Sequence, residues 1–170
     1  VAHEIEKSTR GVPLQVEDVF KAVHAVHKRI KGSYAVISLI AGHGLLAFRD
    51  PFGIRPLCVG RNADGSVMVA SESVTLEGNG FELIRDVQPG EALFVDLHGQ
   101  IHFQSCADQV SHNPCIFEFV YLARPDSVLD GISVYQARLN MGETLAQRVL
   151  STIPPQEIDV VIPIPESSRP

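Results

Sequence analysis

The residues best suited to chemistry are few and scattered. His24 and His27 stand three apart in a helical pattern, a spacing that can bring two imidazoles to one metal ion. No carboxylate shares their face in a suitable arrangement, and nothing else in the sequence completes four ligands. Both are therefore expected to be helix-surface histidines. Three cysteines, Cys58, Cys106 and Cys115, cannot all pair and follow no zinc spacing, which fits a reduced, cytoplasmic setting. Cys58 alternates with apolar neighbours and reads as a small buried hydrophobe. The sequence holds no serine-hydrolase elbow, zinc-protease helix motif, Walker loop or dinucleotide loop between strand and helix.

Three strings carry more information than any single residue. The first is Arg49-Asp-Pro-Phe-Gly-Ile-Arg-Pro-Leu57, followed by Val69-Ala-Ser-Glu-Ser73. By residue type it is a turn set by Asp50 and Pro51, with Arg55 at its exit. The second, Phe117-Glu-Phe-Val-Tyr-Leu-Ala-Arg-Pro-Asp-Ser127, reads as a packed linker. The third, Val160-Val-Ile-Pro-Ile-Pro-Glu-Ser-Ser168, is an apolar run that opens into a polar loop. Open parallel sheets bind ligands at the carboxyl ends of their strands, which singles out Glu166 and Ser167.

The elements that must position these strings follow from periodicity. Over residues 16–31, Val16, Val19, Phe20, Val23, Val26, His27 and Ile30 share one helical face. Acidic residues in the first turn and basic residues in the last suit the helix dipole, and Gly32 provides a stop. From Ser33 the period becomes that of strands: 34–40, 45–49, 56–61 and 67–71, then 81–87, 92–97 and 101–106. Turn residues separate them, so consecutive antiparallel hairpins are expected, with a single helical turn at 73–77. Residues 107–114 are polar and mark a boundary. A second amphipathic helix is expected over 134–150, with Val134, Met141, Leu145 and Val149 on one side. Residues 158–162 then read as a buried parallel strand.

Composition bounds the function. With 170 residues there is room for one domain, or one domain and part of another. A net charge of −6 and the absence of a Lys/Arg stripe argue against nucleic-acid binding. No apolar run approaches the ~20 residues of a membrane helix. The start at Val1 and the finish just past a strand pattern suggest an internal piece of a longer protein.

These strings, in this order, resemble the glutamine phosphoribosylpyrophosphate amidotransferase family. The resemblance covers nearly the whole chain and includes Gly42-His-Gly44, Arg85-Asp-Val-Gln-Pro-Gly-Glu91 and residues 133–142. It implies an α+β chain: the second half of an N-terminal-nucleophile glutaminase of αββα layers, then the start of an α/β type I phosphoribosyltransferase. The implied division is residues 1–110 and 111–170. Such enzymes hydrolyse glutamine at an N-terminal cysteine whose α-amine is the base. The ammonia then displaces pyrophosphate from phosphoribosylpyrophosphate, held with Mg²⁺. Purine nucleotides are the implied feedback inhibitors, and a homo-oligomer the implied assembly.

The family's catalytic cysteine has no counterpart here, since residue 1 is Val, so no catalytic residue is assigned and the chain by itself is expected to be inactive. By resemblance, Ser167 gives a hydroxyl to Mg²⁺; by residue type alone it would cap a following helix. Arg55 and Glu72 are expected to brace the hairpins. Some members of the family hold an iron–sulfur cluster, and Cys115 lies where one ligand would fall. No cluster is assigned, because a lone cysteine before an apolar run is more often a buried thiol. Two rival readings are an asparagine-synthetase-type amidotransferase and a non-enzymatic β-rich interaction module. The string at 117–127 and the Pro-Ile-Pro-Glu-Ser end fit a phosphoribosyltransferase better than a synthetase.

Overall fold

A computed structural model describes residues 1–9 and 12–164. It divides into two units, Val1–Cys115 and Ile116–Pro170. In the first, helices α1 (Ala2–Thr9) and α2 (Val16–Arg29) precede strands β1 (Ala35–Ile40), β2 (Gly44–Arg49), β3 (Cys58–Arg61) and β4 (Val67–Ala70). A short helix α3 (Ser73–Gly78) leads to β5 (Glu82–Asp86), β6 (Glu91–Asp96) and β7 (Ile101–Ser105).

The strands form two antiparallel sheets, ordered β1-β2-β6-β7 and β4-β3-β5. Strict period-2 alternation explains why the sheets stack. On one face of the larger sheet, Leu46, Phe48, Ala92 and Phe94 pack against Val19, Phe20, Val23 and Val26 of α2. On its other face, Ala47, Leu93 and Val95 meet Val59 together with Val67 and Val69 of the smaller sheet. The outer face of that sheet turns Cys58 and Ala70 toward Leu76 of α3. Helix, sheet, sheet and helix thus lie in four layers, each apolar face covered by the next.

The sequence foresees the strand positions but not their partition. Hairpins join β1 to β2, β3 to β4 and β6 to β7. By contrast, β2 pairs with β6 and β3 with β5, so the 50–57 and 87–90 segments are crossings between sheets, not hairpin turns. Helix α1, for which the sequence reading offers no element, packs beside α2 and joins it through Glu4 to Arg29 at 3.0 Å. The first unit runs past the expected boundary at residue 110. Backbone N–H groups of Ser111, Asn113 and Cys115 donate to Pro51, Phe52 and Ile54, which ties the polar segment to the first crossing.

The second unit begins with a π-helical turn, Glu118–Leu122, followed by a hairpin of β8 (Val128–Leu129) and β9 (Ile132–Ser133) and by α4 (Val134–Leu150). Phe119, Ala123, Leu129 and Val134 form its core. Helix α4 matches its expected span, but of the expected apolar side only Val134 is buried; Leu145 and Val149 are exposed. The expected buried strand at 158–162 is not formed: these residues are irregular, and Val161 is 82% exposed. A parallel strand needs hydrogen-bonding neighbours, and among the described residues no strand pairs with that run.

Candidate functional site

The first string folds as one hydrogen-bonded hub around Asp50, which is fully buried. Its Oδ1 accepts from the N–H groups of Phe52 and Ile54 at 3.0 and 3.1 Å. Its Oδ2 accepts from those of Arg55 and Tyr34 at 3.1 and 3.4 Å. An Asp before Pro is suited to this, because its short carboxylate reaches the backbone two to five residues on. The carbonyl oxygen of Asp50 accepts from Gly53 and from Gly90 in the second crossing.

Beside it lies Arg49, 1% exposed and the largest fully buried side chain among the described residues. Its guanidinium donates to the carbonyl oxygens of Arg55 at 2.6 Å, Gly53 at 2.8 Å and Val87 at 2.8 Å. The planar fork of Arg suits three carbonyls spread over two loops. Sequence reading singled out Arg55, whose side chain is exposed while its backbone is bound on both sides. The buried arginine is the one before the Asp-Pro, and its place at the end of an apolar strand was the available signal. Glu72 precedes α3 as its N-cap residue and is half-buried.

The string 85–91 forms the second crossing. Arg85 and Glu91 close it with a two-pronged ion pair at 2.7 and 2.8 Å, and the Arg85 guanidinium lies 3.9 Å over the Phe103 ring. The hydrogen bonds to Glu91 hold the Arg85 charge more firmly than usual. Gly53 and Pro89 touch where the crossings meet: a Cβ on Gly53 would lie 2.8 Å from the Pro89 ring.

His24 and His27 depart from the surface role expected for them. His24 is half-exposed, and its Nδ1 donates to the Cys106 carbonyl oxygen at 2.9 Å. His27 is buried, bonded through Nδ1 to the Tyr34 hydroxyl at 2.7 Å. It lies on the apolar face that the sequence already assigned it, between Val26 and Ile30. Both line a cavity of about 340 Å³ at the carboxyl end of α2, with Lys28, Phe52, Cys106 and Asp108. Burial pushes the Cys106 thiol up to about 11, so it is no ready nucleophile. Cys58 is buried as expected, and Cys115 is half-buried.

In the second unit, Arg138 of α4 donates to the carbonyl oxygens of Phe119 and Ala123 at 2.7 and 2.8 Å. The strings 117–127 and 133–142 are therefore one packed element. Arg124 and Asp126 pair on its surface at 2.9 Å. Glu166 and Ser167 lie outside the described residues. Among the described residues, no group of three or more His, Cys, Asp or Glu side chains is placed to hold a metal ion. None of the described helices is long and apolar enough to cross a membrane.

Residues 8–78 match the glutamine amidotransferase domain family, which places the layered first unit in that class. The particular family follows from relatives that match almost end to end. Amidophosphoribosyltransferase of Pseudomonas aeruginosa is 52% identical over 171 residues, covering 99% of this chain and 34% of that protein. Those of Escherichia coli and Saccharomyces cerevisiae are 50% and 46% identical, covering 94% and 99% of this chain and 32% and 34% of theirs. Two solved structures agree. The glutamine phosphoribosylpyrophosphate amidotransferase of B. subtilis, complexed with ADP and GMP, has a TM-score of 0.74 at 30% identity over 98% of this chain and 34% of its own. An allosteric regulatory enzyme of purine biosynthesis has a TM-score of 0.80 at 33% identity over 99% and 33%. The chain spans about a third of the length of these relatives, and over that third it belongs to the amidophosphoribosyltransferase family.

Proposed function

We propose that this chain is a portion of an enzyme that joins glutamine-derived ammonia to phosphoribosylpyrophosphate, giving 5-phosphoribosylamine in purine synthesis. The observation that carries this reading is the single match through both units, 52% identical over 99% of the chain. An asparagine-synthetase-type enzyme would share the Asp-Pro-x-Gly crossing but not the 117–127 and 133–142 element.

In this reading the first unit is the second half of an N-terminal-nucleophile glutaminase, and the chain from Ile116 onward leads into a type I phosphoribosyltransferase. The chain's own part is to brace. Arg49 and Asp50 lock the crossings that hold the two sheets in register, and this fixes the loops at that end of the sandwich. The nucleophilic thiol and its α-amine base belong to a segment of the relatives that this chain does not span. Purine nucleotides are the proposed regulators, in keeping with the ADP and GMP of the B. subtilis complex. Ser167 is proposed to give a hydroxyl to the Mg²⁺ that accompanies phosphoribosylpyrophosphate, a hard oxygen ligand for a hard cation. A cytoplasmic homo-oligomer completes the reading.

The test is pyrophosphate release by the full-length protein with glutamine and phosphoribosylpyrophosphate, alongside glutamate release by the 170-residue chain alone. Glutamine-dependent pyrophosphate release by the former and none of either activity by the latter are expected. Asparagine formation from aspartate and ATP, without use of phosphoribosylpyrophosphate, would overturn the assignment. Ser167→Ala should weaken phosphoribosylpyrophosphate binding at limiting Mg²⁺ and leave hydrolysis of free glutamine intact.

A further inference from the structure

His27 is the one histidine of the described residues held in an apolar enclosure. It is 7% exposed, stacked on Tyr34 at 5.8 Å and 23°, and set edge-on to Phe48 at 5.7 Å and 86°. Its Nδ1 meets the Tyr34 hydroxyl, while Nε2 is buried without a protein hydrogen-bond partner among the described residues. Tyr34 immediately precedes β1 and is tied to the hub in both directions: Asp50 N–H donates to the Tyr34 carbonyl oxygen, and Tyr34 N–H donates to Asp50 Oδ2. The His27–Tyr34 bond therefore fastens the last turn of α2 to the first crossing.

A second proton on this imidazole places a charge where water does not reach and leaves the Nε2 end unpaired. The Tyr34 hydroxyl can serve Nδ1 as donor or acceptor, but the imidazolium carries a proton on both nitrogens, and the one on Nε2 has no protein acceptor among the described residues. The charge would be enclosed by two aromatic rings. The surrounding charges do not neutralise it. On α2, Lys28 is a cation, and His24 opposes a charge on His27. From the crossing, the Asp50 carboxylate is already committed to four N–H groups. From the loop after β7, Asp108 is exposed and engaged by Lys28 at 3.5 Å, with His24 Nε2 3.8 Å away. On α1, Glu4 is bound to Arg29.

We propose that the His27–Tyr34 contact is a proton-operated latch: closed with neutral imidazole, it opens on protonation, frees the last turn of α2 from β1 and widens the cavity of about 340 Å³ that His27 lines. Burial holds the His27 pKa below the ordinary 6.5, outweighing the attraction of Asp50, with His24 adding to the lowering. The open form titrates at the ordinary value and so binds more protons. The latch is fully closed above pH 6.5 and weakens as pH falls from there toward the lowered value.

Amide hydrogen exchange across residues 24–34, corrected for intrinsic rates, tests this between about pH 7.5 and 5.5. One proton taken up on opening lowers protection by up to about tenfold per pH unit. That loss is expected in the parent protein and in His24→Gln, and less than about a twofold change in His27→Gln, with His27→Phe as a second neutral variant. Three results would overturn the latch: no pH dependence in the parent, the same loss in both His27 variants, or parallel loss in β2 and β6, which signals global acid unfolding. An imidazole titration of His27 by NMR at or above 6.5 would overturn it independently of any variant.

Discussion

Arg49 Nη1 donates to the carbonyl oxygen of Val87 at 2.8 Å, and through this bond the two chain crossings between the sheets become one structure. The β2-to-β3 crossing supplies the arginine, and the β5-to-β6 crossing supplies the carbonyl. The Asp50 carbonyl oxygen and the Gly90 N–H repeat the link 2.9 Å apart. Crossings of this kind are costly to fix, because their backbone leaves one ladder before it joins the next. A buried guanidinium with five donors meets that need at one stroke.

Arg49→Met should therefore be far more damaging than Arg55→Ala. Removing the Arg49 fork leaves buried carbonyl oxygens of Gly53, Arg55 and Val87 without this donor, at about 1–3 kcal/mol each and less than additively. A loss of about 3 kcal/mol or more in urea unfolding is expected. Arg55→Ala removes an exposed side chain, and a loss below about 1 kcal/mol is expected. An Arg55→Ala loss equal to that of Arg49→Met would refute the hub.

Glycine carries the second crossing. Gly90 has φ +71°, and a Cβ there would lie 2.7 Å from both Ala107 Cβ and Val110 Cγ1. Gly65, at φ +84° in the β3–β4 turn, has open space around the same position. Gly65→Ala should cost about 1–2 kcal/mol from backbone strain alone. Gly90→Ala adds a steric clash and should lower Tm at least twice as far in a thermal melt. Equal shifts would show that the loop yields without resistance.

What was legible in the sequence was local. Alternation marked all seven strands of the first unit, because each side chain of β2 and β6 faces one of two apolar layers. The heptad-like spacing of α2 was equally plain. The pairing was not legible, since β2 with β6 and β3 with β5 are long-range choices made by sheet stacking. Asp50-Pro-Phe-Gly has the composition of a hairpin turn, and only burial of Arg49 turns it into a crossing. His27 stood on the apolar face by count, yet its chemistry argued for the surface. Burial won because Tyr34 offers a partner and a stacking surface. Residues 158–162 have the composition of a buried strand, but composition cannot supply a neighbouring edge.

The second unit has its own test. Arg138 donates to the carbonyl oxygens of Phe119, within the π-helical turn, and of Ala123, which follows it. A π-helical turn is rarely stable by itself and depends on such outside bonds. Arg138→Met should cost about 1–2 kcal/mol. Limited proteolysis should then cut within residues 117–127 faster than in the parent, with the first unit's fragments unchanged. Equal cutting rates would show that the apolar core around Val134 suffices.

The cysteines provide a solvent-access test that needs no substitution. Cys106 lies in the α2 layer, its Sγ 3.5 Å from the Gln104 carbonyl oxygen, and burial raises its pKa to about 11. Thiolate is the reactive form, so at pH 8 the fraction available at Cys106 is on the order of one in a thousand, before burial slows reagent entry. Cys58 is enclosed against α3 and is equally shielded. Cys115 is half-buried and accessible. Iodoacetamide at pH 8, followed by peptide mass spectrometry, should modify Cys115 first and leave Cys58 and Cys106 unlabelled until denaturant is added. Early labelling of Cys106 would mean that the α2 layer opens in the native state, whereas early labelling of Cys58 would point to the α3 layer.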